Sequence, residues 1–313
     1  MSAKKILVIK HGALGDLFIA MGAFKAIREF HAQDHITLMT TSRYEALAKD
    51  TGFFDDIILD NRPKFYQLGQ MFKLRSLLQS QNFDRVYDLQ NSPRTNWYFK
   101  MLKRGQKPEW NGIAPGCSHP QTLPNRRKVH AFPRFQDQLK VAGISTIDWP
   151  DLSWARADLQ KFNLKKPYVL LVPGSSPNRR IKRWPGLFYG ELAQWLLREG
   201  VTPVVLGGTD DQDAIEALQS VCFDAIILAG KTSYYEIIEL ARSANAVVGN
   251  DTGPLHIASI AKCPTVVLWS EASCPNVFAP QGDHVTIEYE RYLKDLSVER
   301  VKNALRSHLK KVW

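Results

Sequence analysis

The sequence has few cysteines, and no two of them have the spacing of a metal-binding or redox pair. Only four of its 313 residues are cysteine. Thiolate zinc sites and thioredoxin-like redox centres need closely spaced cysteines, so neither is indicated. Scattered single cysteines suit a reducing compartment. We expect these four to be buried or incidental thiols: Cys117, Cys222, Cys263 and Cys274.

Long apolar runs are also absent. Near the start, the apolar run 6–9 is too short for the core of a secretion signal. The run 17–24 is bounded by Asp16 and Lys25 and is too short to cross a bilayer. A composition of 44% apolar and 23% charged residues is that of a soluble globular protein. We therefore expect a cytoplasmic protein, and its length predicts two domains.

Acidic residues are scarce in one part of the chain. Residues 1–165 contain 25 Lys and Arg against 15 Asp and Glu, whereas residues 166–313 contain 16 of each. The net charge of +10 therefore belongs to the first half, and residues 91–134 alone hold nine basic residues against one acid. This concentration favours an anionic partner. Charge alone leaves open a nucleic acid, an anionic membrane surface or an acidic glycolipid, and a merely solvated basic face would give the same pattern.

Two motifs common in nucleotide-dependent enzymes are missing. The first strand-to-helix turn reads Gly-Ala-Leu-Gly-Asp at 12–16 and lacks the Gly-x-Gly-x-x-Gly of dinucleotide-binding enzymes, which disfavours a nicotinamide oxidoreductase. The sequence Asp-Gln-Asp at 211–213 opens a predicted helix and does not lie in a loop suited to a metal. No metal site or cofactor is therefore expected.

Two strand-to-helix turns are the most informative features that are present. The apolar run 246–248 leads into Gly-Asn-Asp-Thr-Gly-Pro-Leu-His at 249–256, with proline in the first turn of a helix. Unpaired N–H groups and the positive end of the helix dipole make this turn a cradle for phosphate. The turn at 12–16 places the Asp16 carboxylate at the start of another helix, where it would also fit an N-cap. Two such turns in separate halves imply a cleft.

Strand and helix patterns alternate along both halves, which predicts two parallel, doubly wound α/β sheets. The predicted strands are 6–9, 36–39, 56–59, 85–89, 109–112, 168–172, 202–206, 225–228, 246–248 and 265–268. The predicted helices begin near Asp16, Ser42, Tyr66, Pro93, Trp184, Asp210, Ser233 and Pro254. Residues 114–128 are predicted to form a surface loop and 145–166 a linker. A basic amphipathic helix is predicted for 297–310, with Ser297 as its N-cap.

An ordered set of motifs resembles glycosyltransferase family 9, the bacterial lipopolysaccharide heptosyltransferases. The set comprises Gly-Asp at 15–16, Asp-Leu-Gln-Asn-Ser-Pro-Arg at 88–94, Pro-Gly-Ser-Ser at 173–176, Lys-Arg-Trp-Pro at 182–185, Leu-Gly-Gly at 206–208 and Asp-Thr-Gly-Pro-Leu-His at 251–256. The resemblance implies the GT-B architecture, two facing Rossmann-like domains followed by a terminal helix. It places an acceptor-binding domain at 1–155 and a nucleotide-sugar-binding domain at 156–313.

The resemblance also implies an inverting sugar transfer, with ADP-heptose as the expected donor. Asp16 matches the family's base, which takes the proton of the acceptor hydroxyl. Lys182 matches the family's phosphate-binding lysine, and with the turn at 251–253 it would stabilise the departing diphosphate without a metal. An exposed basic loop remains an alternative for residues 179–183.

Candidate donor-binding residues cluster in the second half. The phosphates are assigned to Ser175, Ser176, Asp251, Thr252, Gly253 and His256. Asp211 matches the family's ribose-contacting acid, while Asp210 could cap the helix and Asp213 compensate its dipole. Thr232 lies where family members place a residue against the base, although the sequence Thr-Ser at 232–233 also fits a plain helix start. His256 would equally suit a packed or capping role.

Candidate acceptor-binding residues are basic, because family acceptors are lipid-linked saccharides that carry acidic sugars. Arg62 and Lys64 match basic positions of the family's acceptor loop. Further candidates, each of which could be an ordinary surface residue, are Arg94, Arg126, Arg127 and Arg134. The same basic face would hold the protein peripherally and reversibly at the anionic inner face of the cytoplasmic membrane. Nucleic acid is not an expected partner.

One segment departs from the family pattern. After the strand 265–268, the family continues with a Gly-Pro-Thr-like turn, whereas this chain reads Trp-Ser-Glu-Ala-Ser-Cys-Pro at 269–275. We expect this loop to face the donor sugar or its phosphates. Two other readings stay open on the sequence alone: a GT-B nucleotide-sugar epimerase, and a non-catalytic binding module for nucleic acid or anionic membrane.

Overall fold

The computed structural model describes residues 3–103, 108–175 and 181–309. The chain divides into two compact units, Met1–Pro150 and Asp151–Trp313. The division falls inside the predicted linker, a few residues before the expected boundary at 155. In the part of the chain that is described, no helix is both long enough and apolar enough to span a bilayer.

The first unit is a six-stranded parallel sheet flanked by helices. Its strands are β1 (Lys5–Ile9), β2 (His35–Thr40), β3 (Asp56–Leu59), β4 (Arg85–Asp88), β5 (Glu109–Gly112) and β6 (His119–Pro120). Its helices are α1 (Leu14–Ile19), α2 (Met21–Phe30), α3 (Glu45–Asp50), α4 (Leu68–Ser80), α5 (Pro93–Lys103) and α6 (Ala131–Val141). The strand order β3-β2-β1-β4-β5-β6 reverses direction between β1 and β4. Ligands of such sheets bind at the carboxyl ends of the strands beside this switch point.

The second unit repeats this topology. Its strands are β7 (Tyr168–Val172), β8 (Thr202–Val205), β9 (Ile226–Ile227), β10 (Ala246–Asn250), β11 (Thr265–Trp269) and β12 (Val285–Tyr289). Its helices are α7 (Gly186–Arg198), α8 (Gln212–Val221), α9 (Tyr234–Ser243), α10 (Gly253–Ile260), α11 (Pro275–Phe278) and α12 (Val298–Leu309). The order β12-β11-β10-β7-β8-β9 places the switch point between β7 and β10.

Apolar strands and amphipathic helices account for both cores. Strands β7 and β11 are buried along their whole length, as expected of parallel strands covered on both faces. The terminal helix α12 packs Val301 and Leu305 into the core of the second unit. Its first turn is capped as predicted, because Ser297 Oγ accepts a hydrogen bond from the Arg300 N–H at 3.3 Å.

Several elements differ from the sequence prediction. The predicted loop 114–128 contains the short strand β6 and a turn of 3-10 helix at Arg126–Lys128, so that prediction is wrong in part. Helix α6 was not predicted; it begins where the His130 ring accepts a hydrogen bond from the Phe132 N–H. Strand β12, at the edge of the second sheet, was not predicted either. Of the cysteines, Cys222 and Cys263 are buried, whereas Cys274 is exposed.

Candidate active site

Asp16 lies at the carboxyl end of β1, beside the switch point of the first sheet. It is the third residue of α1 and is half-buried. The N-cap of this helix is Ala13, so the interpretation of Asp16 as an N-cap is wrong. A carboxylate in the first turn still interacts favourably with the positive end of the helix dipole.

Two cations interact with the Asp16 carboxylate. Lys10 follows β1 directly and is only 4% exposed, and its ammonium lies 5.6 Å from the centre of the Phe135 ring. Burial lowers the pKa of Lys10, and the negative charge of Asp16 acts against that shift. Burial likewise lowers the pKa of Arg134, again opposed by Asp16. The Asp16 carboxylate therefore lies within electrostatic reach of two partly desolvated cations.

A second acid, Asp60, is buried at the end of β3. Its Oδ2 lies 2.9 Å from His11 Nε2 and accepts a hydrogen bond from the Tyr98 hydroxyl at 2.6 Å. Burial alone would raise the pKa of Asp60, but the hydrogen bonds from His11 and Tyr98 outweigh it and hold the pKa below its ordinary value. The Asp60 side chain also accepts from the Arg62 N–H at 2.7 Å, so it fixes the start of the predicted acceptor loop.

Asp88 ends β4 and is fully buried. Its Oδ1 accepts hydrogen bonds from the N–H groups of Gln90 at 3.1 Å and Asn91 at 2.9 Å. Burial raises the pKa of Asp88 to about 6, although these hydrogen bonds oppose the shift. Asp88 therefore shapes the turn that begins the motif at 88–94.

In the second unit, Lys182 forms an ion pair with Asp251 at the switch point. Both side chains are nearly buried, with exposures of 8% for Lys182 and 11% for Asp251. The lysine ammonium lies 5.7 Å from the centre of the Trp269 ring. Asp251 thus acts directly on Lys182, and the alternative of an exposed basic loop is wrong for this lysine.

The atypical loop after β11 contacts this ion pair. Ser273 Oγ donates a hydrogen bond to Asp251 Oδ2 at 3.1 Å, and the Trp269 indole N–H donates to the Ser273 carbonyl at 2.8 Å. The loop therefore positions Asp251 and, through it, the ammonium of Lys182. This connection is not visible in the sequence, where the loop only departs from the family pattern.

Asp211 is held by Arg183. Its Oδ1 pairs with the Arg183 guanidinium at 2.8 Å, and its Oδ2 accepts from the Gly208 N–H at 2.9 Å. Arg183 also donates to Ser175 Oγ at 3.1 Å and to Asp213 Oδ1 at 2.8 Å. Asp213 is thus an ion-pair partner as well as a first-turn acid of α8.

Asn250 joins the two strands at the second switch point. Its buried amide donates to the Pro173 carbonyl at 2.7 Å, and its oxygen accepts from the Trp184 N–H at 3.0 Å. It thereby fixes the turn at 173–175 against β10 and sets the start of α7. The sequence prediction quoted Asn250 within the motif but assigned it no role.

The remaining donor candidates lie around the start of α10 and α9. Thr252 is the N-cap of α10, and its side chain does not make a capping bond. Gly253 begins the helix, and His256 is buried one turn further on. Thr232 directly precedes Ser233, which caps α9 together with Glu236, so a helix start is confirmed at this point. Ser176 lies outside the described residues.

The basic acceptor candidates fall into two groups. Arg62 and Lys64 are exposed in the loop after β3. Arg94 is half-buried and holds this loop, donating to the Pro63 carbonyl at 3.0 Å. The other group lies in the segment between β6 and α6 and in α6 itself. Arg126 and Arg134 are half-buried and interact electrostatically with each other. Arg127 is exposed.

Sequence reasoning missed several residues of this geometry, among them Lys10, Arg183 and Asn250. Lys10 follows the first strand directly, which was a usable signal for a residue beside Asp16. Within the residues that the structure covers, no group of three His, Cys, Asp or Glu side chains comes together to hold a metal ion.

Comparison with known proteins identifies the family. The family model of glycosyltransferase family 9 (heptosyltransferase) matches residues 71–304. Lipooligosaccharide heptosyltransferase 2 of Haemophilus influenzae is 30% identical over 307 residues, which cover 90% of this chain and 87% of the relative.

Solved structures confirm the fold. The structure of E. coli ADP-heptose LPS heptosyltransferase II matches with a TM-score of 0.78 and 22% sequence identity. The match covers 98% of this chain and 99% of the E. coli chain. A glycosyltransferase family 9 protein from Veillonella parvula has a TM-score of 0.81 and 20% identity, covering 98% of each chain. The predicted GT-B fold is thereby confirmed. The chain is an enzyme that belongs to glycosyltransferase family 9, the heptosyltransferases of lipopolysaccharide biosynthesis.

Proposed function

We propose that this protein transfers heptose, with inversion and without a metal ion, from ADP-heptose to a hydroxyl of an acidic, lipid-linked inner-core saccharide. The single observation that best supports this reaction is Asp16, a half-buried carboxylate after the end of β1 that interacts electrostatically with Lys10 and Arg134. Family membership favours transfer over the alternative of an epimerase. The identity of the donor follows the E. coli relative, whose name specifies ADP-heptose.

In the proposed step, the Asp16 carboxylate takes the proton of the acceptor hydroxyl. The acceptor oxygen forms a bond to the anomeric carbon while the bond from that carbon to the diphosphate oxygen breaks. Because attack and departure occur on opposite faces of the sugar, the anomeric configuration inverts. Lys10 and Arg134 interact electrostatically with this carboxylate.

The departing diphosphate is assigned to Lys182 and the start of α10. A nearly desolvated ammonium stabilises developing negative charge more strongly than an exposed one would. The first N–H groups of α10, at Thr252 and Gly253, are available to phosphate oxygens, as at other helix N-termini. Ser175 and His256 complete the phosphate region in this assignment.

The nucleoside end is assigned to Asp211 and Thr232. Both oxygens of Asp211 already have protein partners in Arg183 and Gly208. Ribose hydroxyls would therefore share this carboxylate with Arg183, which keeps it in one orientation.

The acceptor is assigned to the first unit. Arg62, Lys64, Arg126, Arg127 and Arg134 supply the positive charge that acidic sugars require. Because the acceptor is lipid-linked, we propose a cytoplasmic enzyme attached peripherally to the anionic inner face of the cytoplasmic membrane.

A transfer assay tests the proposal. Purified protein is incubated with a panel of nucleotide sugars and a delipidated inner-core acceptor, and the product is analysed by mass spectrometry and by NMR of the new glycosidic linkage. We expect a gain of one heptose from ADP-heptose, inverted at the anomeric carbon, and undiminished turnover in EDTA. Epimerised nucleotide sugar with no acceptor product would contradict the proposal, and so would loss of turnover in EDTA that magnesium restores.

A further inference from the structure

We infer that the outer face of α4, together with the loop 61–67 before it, docks onto the surface of an anionic lipid bilayer. The inference rests on the proposed membrane-borne acceptor, and it specifies how the protein reaches that membrane. The surface, called the α4 face below, belongs to the first unit and does not include Asp16.

The α4 face exposes an unusual density of large apolar side chains. Phe65, Tyr66, Leu68 and Phe72 are 59%, 74%, 64% and 65% exposed. Single exposed apolar residues are ordinary, but a contiguous group marks an interaction surface. Phe65, Leu68 and Phe72 line a groove of about 240 Å³ between α4 and α5.

Contacts beneath the face hold these side chains in place. The rings of Phe65 and Trp97 meet edge to face at 5.7 Å. The guanidinium of Arg94 lies 5.5 Å from the Phe65 ring, and it donates a hydrogen bond to the Pro63 carbonyl. The loop is therefore fixed with its aromatic rings presented outward.

The charge around the face identifies its occupant. Residues 61–80 contain four basic residues and no acid: Arg62, Lys64, Lys73 and Arg75. Helix α5 adds Lys100 at the groove and also contains no acid. Exposed aromatic and aliphatic side chains on segments whose charged residues are all basic fit the boundary of an anionic bilayer, where rings enter the headgroup region and cations contact lipid phosphates.

Vesicle cosedimentation without any acceptor or donor tests this surface. The full-length protein is mixed with vesicles of phosphatidylcholine alone or of equal parts phosphatidylcholine and phosphatidylglycerol. We expect binding to the anionic vesicles only. The variant Phe65→Ser with Phe72→Ser should bind about tenfold more weakly, since apolar area that enters the bilayer is lost. The matched control is Phe223→Ser, which removes an 85% exposed ring from the second unit.

A charge variant separates the electrostatic contribution to vesicle binding from the apolar contribution. Lys73→Gln with Arg75→Gln should weaken binding about thirtyfold at low salt, because each of the two basic residues contributes about 1 kcal/mol near an anionic surface. High salt should erase this difference but preserve that of the aromatic variant. Lys140→Gln with Lys165→Gln is the control, with the same change in net charge. Thermal unfolding checks that every variant is folded.

Three results would overturn the inference: wild-type protein that does not bind anionic vesicles, a control variant that weakens binding as much as its partner, or a dimer that Phe72→Ser dissociates in sedimentation velocity. The last would assign the face to a second copy of the chain. The proposed function is judged separately with the delipidated acceptor, which needs no membrane. Transfer without vesicle binding would reject only the docking surface, and vesicle binding without transfer would reject only the reaction.

Discussion

At the scale of single residues, the ammonium of Lys182 is held by its ion pair with Asp251. We predict that Lys182→Ala lowers kcat by roughly two to three orders of magnitude, because one preorganised group that stabilises the leaving diphosphate is lost. Steady-state kinetics at saturating ADP-heptose measures this change. Lys231→Ala, which removes an exposed lysine from the same unit, serves as the control. Equal kcat values for Lys182→Ala and wild type would remove the lysine from the leaving-group role.

Asp88 should make stability fall as the pH rises. Burial raises its pKa from an unfolded value near 3.8 to about 6, so the folded state binds the proton more tightly than the unfolded state does. The stabilisation is present below the unfolded pKa and is lost as the pH rises through about 6.

We therefore predict that Asp88→Asn is more stable than wild type above that window, by up to about 3 kcal/mol for a shift of this size. Asparagine retains an oxygen for the N–H groups of Gln90 and Asn91. Urea unfolding at a series of pH values measures the difference. A difference between variant and wild type that stays constant with pH would mean that Asp88 does not titrate in this range.

The sequence was sufficient to locate individual catalytic candidates but not their partners. Asp16 and Lys182 follow strand ends in recognisable motifs. Arg183 was indistinguishable from a basic loop residue, because its partner Asp211 is 28 positions away and the two meet only once β7 and β8 pair. Asn250 was missed for the same reason: its hydrogen bonds to residues near 173 and 184 depend on the strand order.

At the scale of elements, the turn after β7 tolerates no side chain at Gly174. A Cβ there would lie 2.2 Å from Asp211 Oδ2, and that carboxylate is held by Arg183 and Gly208. We predict that Gly174→Ala destabilises the protein by about 1–3 kcal/mol, as overpacking does, and weakens ADP binding.

Gly69→Ala is the matched control for this turn. Gly69 lies in α4, where an added Cβ meets nothing within 4 Å. Alanine should stabilise that helix by about 0.5–1 kcal/mol. Differential scanning fluorimetry with and without ADP compares the two variants. A Gly174→Ala variant with the stability and ADP binding of wild type would show that the turn can move aside.

Strongly apolar elements were predictable, whereas elements decided by tertiary contacts were not. Strands β3, β5 and β7 have the predicted bounds, and in β3 and β7 an apolar run is punctuated clearly. Helix α6 was hidden by its basic residues and by Pro133, which its first turn accommodates. The edge strand β12 pairs with β11, and its sequence Val-Thr-Ile-Glu-Tyr is rich in β-branched and aromatic residues, a signal that the sequence prediction overlooked.

At the scale of the whole molecule, the proposal assigns acceptor and donor to different units. We predict that Arg62→Glu with Lys64→Glu raises the apparent acceptor constant steeply and leaves ADP affinity unchanged. Asp251→Ala should do the opposite, since Asp251 orients Lys182 in the phosphate region. Calorimetric titration with ADP, together with acceptor binding to each variant, tests the assignment. If both variants weakened the binding of the same ligand, the assignment would be wrong.

The central claim, proton transfer to Asp16, is tested most directly by the turnover of Asp16→Asn at saturating donor and acceptor. Asparagine keeps the size of the side chain but cannot serve as the base, and Ala13 rather than Asp16 caps α1, so the helix should be preserved. We predict that turnover falls by roughly two to four orders of magnitude, the usual contribution of a general base, while ADP still binds as in wild type. Turnover close to that of wild type would contradict the proposed mechanism.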